Sequence, residues 1–470
     1  MVRGFLLAMV MSVAARAQTP PPQGAPALES KGSADAQAQT SPAAEAAHGA
    51  DAAPARRLTL EEAIQLALAN NPDLRRQAIL SESSAQDRSL AKSAILPRLD
   101  FNASIGATHQ GVGTVVVQGV PFAQESSTFS TGALGMSLRQ LIFDGGKWWN
   151  NLDAAELGLA ASQAQVDEQR LQTSYLVEQR FYELVRAQRQ LGVLGDAAAR
   201  SREQADNVQR LYEGGRSTQA DVYAARANRD NDEINRLGQE SRVELARTDL
   251  SLAIGVDPSE ALAVAEPPRL LDDPSQPPAA KEAVQRALAS RPSLKAFDLQ
   301  VQAQKKFYSA SKGDYYPTVS LAGSWQRGTR DDLPRLFEAP GRESQLSGSV
   351  NLNWNLFNGF ATDAGVRKAQ LQVQLSENDL MNGRRNVAGD VEKAVAQLST
   401  ARSQARVAAQ TEQNAKESLR LARTRQEVGV GTQLEVRDAE LKLTQAQLAR
   451  VGSLVDGREA ESALRRAQGG

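Results

Sequence analysis

The sequence predicts a mostly α-helical chain with a transmembrane β part, in which long antiparallel coiled-coil helices adjoin four β-strands. Three observations predict it. Residues Lys147–Glu213 and 361–428 are each close to 70 positions of Ala, Leu, Gln, Glu and Arg without a proline. Each is preceded by segments whose apolar residues alternate with polar ones, and each stops at glycines: Gly214 and Gly215, then Gly429 and Gly431. The whole arrangement occurs twice. One such stretch, as a single helix, reaches roughly 100 Å at 1.5 Å per residue, far beyond the mean helix of a globular domain.

Composition narrows the function classes. The 470 residues carry a net charge of −1 and no basic run interleaved with aromatics, so nothing points to nucleic acid. There is no cysteine, which removes disulfides, thiolate metal sites, cysteine nucleophiles and an acylated N-terminal cysteine together. The chain therefore reads as not a lipoprotein. Two histidines, His48 and His109, fall in a low-complexity stretch and a loop. No nucleophile–base pair or metal-ligand cluster emerges, so neither an enzyme nor a cofactor is expected.

In chain order, residues 1–17 read as a secretory signal: Arg3, a short apolar run, then Ala15-Arg16-Ala17 as a cleavage site. Residues 18–57 are rich in Pro, Ala, Gln and Ser and too poor in apolar side chains to offset their ordering entropy, so they read as a disordered linker. Thr59 and Glu62 form a capping box that opens a helix ending before Pro72. A second helix is expected to Leu96, stopped by Pro97. From Leu99 the period is two, with Leu99, Phe101, Ala103 and Ile105 on one face. A Gly/Val-rich loop to about Gln124 and a second strand over about 128–143 follow. Asp144-Gly145-Gly146 leads into the first rod, and beyond its glycine turn a helix runs from Thr218 to about Ile254.

Residues 258–278 are Pro/Asp-rich and read as a linker between two structural repeats, 58–257 and 279–470. At an offset of 220, Glu62, Ala63, Gln65, Ala67, Pro72 and Leu74 recur as Glu282, Ala283, Gln285, Ala287, Pro292 and Leu294. At 214, Gly215, Thr218, Gln219 and Val222 recur as Gly429, Thr432, Gln433 and Val436. The second hairpin is expected over about 319–327 and 346–357.

Each of the four strands is long enough to cross a bilayer as a tilted strand. Four strands cannot close alone, and an open edge is not viable in lipid. A shared barrel of twelve strands from a homotrimer resolves this; the alternative is a soluble four-stranded sheet packed on the helices. Tyr315, Tyr316, Trp325, Trp354, Trp148 and Trp149 gather at strand ends, as interfacial aromatics do. In the second rod Val366, Val373, Leu380, Val387, Ala394, Ala401, Ala408, Ala415 and Ala422 hold one heptad register. Large residues give way to alanine toward the turn, so a bundle of such rods narrows there. Periodicity leaves open an ordinary coiled coil without a lumen.

The turns hold the clearest polar constellation. Thr432 with Glu435, and Thr218 with Asp221, have capping-box spacing. Asp438 lies three residues past Glu435 on the same helical face. In a trimer Glu435 and Asp438 would form stacked acidic rings at a narrow tip, which attract cations and repel anions. The bland alternative is that Glu435 and Asp221 only cap helices.

These residues resemble the TolC-type outer membrane efflux protein family. The resemblance rests on the doubled Ala-rich helix with Asn71-Pro72 and Arg291-Pro292, and on Leu96-Pro97 and Tyr316-Pro317 before the strands. It rests also on the strand exits Ile142-Phe143-Asp144-Gly145-Gly146 and Leu356-Phe357-Asn358-Gly359, and on the turns at 215–222 and 429–436. It implies a trimeric duct with a 12-stranded outer-membrane barrel and a periplasmic helical tunnel. Its tip docks a periplasmic adaptor (membrane fusion) protein joined to an inner-membrane pump of RND or ABC type. By this resemblance Glu435 and Asp438 fall on the family's acidic pore constriction, and Asp221 on an inner position of the same tip gate. Gln426 and Gly431 stand where the family can carry a gating tyrosine and arginine. The closed-state network is then expected to lean on Arg437, Arg216 or Tyr212. The expected function is an export duct of a tripartite efflux pump or type I secretion system in a Gram-negative outer membrane. A periplasmic coiled-coil adaptor is the alternative.

Overall fold

The computed structural model describes residues 57–470 except 260–261, 268–269, 271, 332 and 338–343. The expected signal and nearly all of the first linker lie outside these residues. Helix α1 (Leu60–Asn70) opens with the capping box: the Glu62 N–H donates to Thr59 Oγ1, and the Thr59 N–H donates to the Glu62 carboxylate. In α2 (Pro72–Ser93) the Asn71 side chain accepts from two orphan N–H groups, those of Asp73 and Leu74. This helix ends three residues short of Leu96, in a turn that leads the chain to Pro97.

Strands β2 (Arg98–Gln110) and β5 (Ser127–Phe143) follow, then the long helix α3 (Lys147–Glu213), a turn and α4 (Gln219–Ile254). The second repeat gives α5 (Ala280–Ser290), α6 (Pro292–Lys312), β7 (Thr318–Arg330), β8 (Ser344–Asn353), α7 (Ala361–Glu427) and α8 (Gln433–Gln468). Both long helices have 67 residues.

Three segments differ from expectation. The Gly/Val-rich stretch after β2 is a hairpin, β3 (Gly113–Val117) and β4 (Val120–Gln124), not a loop. Gln118 and Gly119, at φ 51° and 84°, give the two left-handed positions that a tight hairpin turn needs. Strand β8 stops at Asn353, so Trp354 and Leu356 lie beyond it; the Trp354 indole N–H donates to the Tyr315 carbonyl instead. The expected second linker contains β6 (Ala263–Val264), which pairs in parallel with β1 (Arg57–Leu58).

The sheet β2-β5-β7-β8 is antiparallel throughout, and β5 against β7 joins the two repeats. Its register sorts the side chains into two faces, because residues directly opposite in an antiparallel pair share a face. Leu99, Phe101, Ala103 and Ile105 oppose Leu138, Met136, Leu134 and Gly132. On the same face Trp325 opposes Met136 and Leu346, and Leu321 opposes Val350. The other face carries Asp100, Asn102 and Ser104 of β2, Ser137 of β5, Ser324 of β7 and Asn351 of β8. Much of the apolar face is exposed, with Phe101 at 65% and Leu346 at 81%, while Leu333 and Leu336 cover it at Gly132; β2 and β8 are both open edges. The pairing of β5 with β7 shifts register between Leu141 and Phe143.

Of the six aromatics expected at strand ends, two sit elsewhere. Trp148 is buried, with its indole N–H on the Ala91 carbonyl, because α2 packs across the start of α3. Trp325 lies within β7 on the apolar face.

Helix α3 packs against α4, α8, α6, α2 and α1; α7 packs against α8, α6 and α5. Every heptad position read on α7 is buried or half-buried. Two cores sit where the short helices cross the rods. One gathers Phe181, Leu184, Leu250 and Ile254 with α1, and the other Val391, Leu398 and Leu464 with α5. Each such side chain contributes about 1.5–3 kcal/mol by burial. Toward the turns only small cores remain, of Ala205, Val208, Val222 and Ala225 in one hairpin and Leu419, Val436, Ala439 and Leu443 in the other.

Candidate functional site: the helical tip

Both rods run to a glycine turn and return. Gly214 closes α3 on the Arg210 carbonyl (3.0 Å) at φ −81°, an ordinary conformation, while Gly215 takes the left-handed one at φ 69°. Gly429 does the same for the second turn at φ 78°. Gly431 is required by space: a Cβ there would lie 2.9 Å from the Gln426 backbone nitrogen. An arginine at this position would therefore push the turn apart.

The two acidic caps differ. Thr218 Oγ1 accepts from the Asp221 N–H (3.2 Å), and Asp221 answers by accepting from the Thr218 N–H (3.0 Å), the Thr218 hydroxyl (2.7 Å) and the Ser217 hydroxyl (3.1 Å). These bonds, the Thr218 backbone donor first, hold the Asp221 carboxyl below its ordinary range. Thr432 Oγ1 likewise accepts from the Glu435 N–H (3.2 Å), but no return bond forms, and the Glu435 carboxylate faces outward 3.9 Å from Arg425. Asp438 is exposed and accepts from Lys442 one turn along α8 (2.6 Å).

Arg437 points elsewhere. It makes a two-pronged ion pair with Asp232 of α4, at 2.7 and 3.0 Å, with 19% and 9% of the two side chains exposed. Those hydrogen bonds push the guanidinium above its ordinary pKa. The pair ties the α7–α8 hairpin to the α3–α4 hairpin just above the turns, and the Arg200 bond to Thr444 Oγ1 (3.2 Å) adds a second tie. Within the second hairpin, buried Glu440 accepts from Arg423 (2.9 Å). The side chains of Tyr212 and Arg216 are exposed and make no polar bond among the described residues. Of the three residues expected in the closed-state network, the fold engages Arg437 alone.

The sequence reading missed Asp232 and Glu440. Asp232 lies 205 positions from its partner, and no local pattern marks it. The Lys442 partner of Asp438 is legible as an i,i+4 pair. Among the described residues no group of three or more His, Asp or Glu could hold a metal ion, and no helix is long and apolar enough to cross a membrane.

Paired rods with narrow turns at one end, and a sheet with an apolar and a polar face at the other, define a chain built to line a membrane-spanning duct. The chain belongs to the outer membrane efflux protein family, whose model matches residues 63–256 and 283–470. It is 25% identical over 356 residues to the protein CyaE of Bordetella pertussis, covering 74% of this chain and 70% of that one. It is 23% identical over 365 residues to the alkaline protease secretion protein AprF of Pseudomonas aeruginosa, covering 76% and 73%. Its fold is similar to the CmeC outer membrane channel of Campylobacter jejuni, with a TM-score of 0.75 at 20% identity over 87% of this chain and 85% of that one. The protein is an outer-membrane export duct, and the adaptor reading is set aside.

Proposed function

We propose that three copies close into one duct whose barrel takes four strands from each, and whose helical tip is an acidic gate facing the periplasm. The sheet supports this reading most directly: it bares an apolar face and leaves both edge strands unpaired. Lipid covers the first, and only a neighbouring copy satisfies the second. The rods support the same closure. Their order within a chain is α4, α3, α8, α7, so the ends of the row are α4 and α7. Both ends bare apolar residues, Ile234, Leu237 and Leu245 on one and Val407 and Leu421 on the other. Packing α4 of one copy on α7 of the next buries them and closes the ring.

In this assembly Glu435 and Asp438 stack as acidic rings at the narrowest level, and Asp221 keeps its cap. The Arg437–Asp232 pair holds the second hairpin against the first in the closed state. Opening is an untwisting of the hairpins that parts this pair and widens the rings. A periplasmic adaptor and an inner-membrane pump supply the force, and the duct is passive. Its two repeats, 58–257 and 279–470, are the units that move.

Native mass in detergent tests the assembly: a trimer extracted from outer membrane is expected, and a soluble monomer or dimer would sink it. Bilayer recordings test the gate. Replacing Glu435 and Asp438 together by Ala is expected to lower cation selectivity and block by multivalent cations. Unchanged selectivity removes both residues from the pore.

A further inference from the structure

The polar face of the sheet holds an arrangement the gate does not use. Arg98 of β2 stands directly opposite Arg139 of β5. Like charges directly opposite in a sheet are destabilising unless a counter-charge joins them. One carboxylate is at hand: Asp100 accepts from Arg98 Nε at 3.1 Å. The Arg139 side chain makes no ion pair or hydrogen bond among the described residues. The row beside the arginines is a ladder of hydroxyls, Ser137, Ser324 and Ser347, with Ser324 Oγ and Ser347 Oγ 2.8 Å apart. Arginines, carboxylate and serines line one cleft of about 410 Å³ on this face. On the polar face of the four strands the ionisable residues are Arg98, Asp100, Arg139 and Arg330, so the face is net basic.

We propose that Arg139 with Arg98 and the serine ladder is an oxyanion-binding step at the periplasmic base of the barrel. It rests on the duct reading, which makes the polar face the lumen. Two planar guanidiniums and adjacent hydroxyls match the multiply accepting oxygens of phosphate, sulfate or carboxylate. A solute that carries such a group meets an acidic ring at the tip and a basic one at the barrel. The duct thus passes from one charge sign to the other along its length, and the barrel offers the anionic part of a solute a transient hold once it has cleared the tip.

The test is conductance of the full-length protein in planar bilayers at constant ionic strength, with sulfate added on the barrel side, away from the acidic tip. Sulfate is expected to reduce the current in the millimolar range. Arg139→Gln is expected to raise the half-blocking concentration by roughly threefold or more, the scale of losing one exposed charge-assisted contact. Asp100→Asn, which frees Arg98, is expected to lower it by about the same factor. Both substitutions lie on the polar face and leave strand pairing intact, which native mass confirms for each variant. A conducting protein with no sulfate effect, or with both variants blocked like the parent, overturns the oxyanion step and leaves the duct standing. A protein that never conducts overturns both.

Discussion

The two glycine turns share one backbone plan and put their acidic residue to opposite uses. In the first, Asp221 spends its carboxylate on three donors of its own turn. In the second, Thr432 caps the helix unaided, and Glu435, with Asp438 one turn on, stays open to solvent beside Arg425 and Lys442. The duplicated turn has thus kept its shape while its charges diverged: one hairpin is a fixed post, and the other presents charge. Arg437 and Asp232 join the two where the cores are smallest.

The largest expected effect breaks that junction. Asp232→Ala leaves a half-buried guanidinium without its partner, a loss of about 3 kcal/mol in the closed tip. The open fraction and mean conductance are expected to rise several-fold, and the double variant with Arg437→Ala is expected to recover part of the stability. Equal conductance in parent and Asp232→Ala would show that the two hairpins are not latched there.

The caps sharpen the comparison at a smaller scale. Thr218→Ala removes an N-cap hydroxyl worth about 1 kcal/mol, and it also takes one of its three donors from the Asp221 carboxylate. Thr432→Ala loses only its own bond and is expected to cost less. Hydrogen exchange of the first-turn amides of α4 and α8 reads both. A larger loss in α8 would reverse the assignment of post and gate.

The smallest effect is with pH. Because the folded Asp221 carboxyl titrates below its ordinary value, its contribution is complete above the ordinary carboxylate range and is lost as pH falls through the lowered folded value. Amide protection at the start of α4 is therefore expected to fall at strongly acid pH and to be flat from pH about 5 upward. In Asp221→Asn the acid-dependent part should vanish. Its persistence would place the titrating group elsewhere.

Much of the fold was legible because the signals are local. Capping residues at Thr59, Thr218 and Thr432, the alternation from Leu99 to Ile105, and the heptad from Val366 to Ala422 each act within a few positions of the chain. The hairpin at 113–124 was read as a loop because its turn rests on Gln118, a residue without a strong preference for the left-handed region. The acidic tip was legible as residues but not as roles, since Asp221 and Glu435 have the same spacing from their threonines. Only the direction each carboxylate takes separates them.

What the sequence by itself determined is the set of parts: two rods of equal length, two faces on every strand, two glycine turns and their duplication. Those follow from periods of 2 and 3.5 and from single dihedral demands, which a chain meets with its nearest neighbours. What only the tertiary structure decided is which part meets which. It made α3 the central rod and α7 an edge, buried Trp148 under α2, and set Arg139 opposite Arg98. It also brought Asp232 to Arg437 across the hairpins. The physical reason is that apolar burial is non-directional, so any stripe of Ala and Leu can cover any other. Partner choice is left to the order in which helices and strands stack, and that order exists only once the chain is folded.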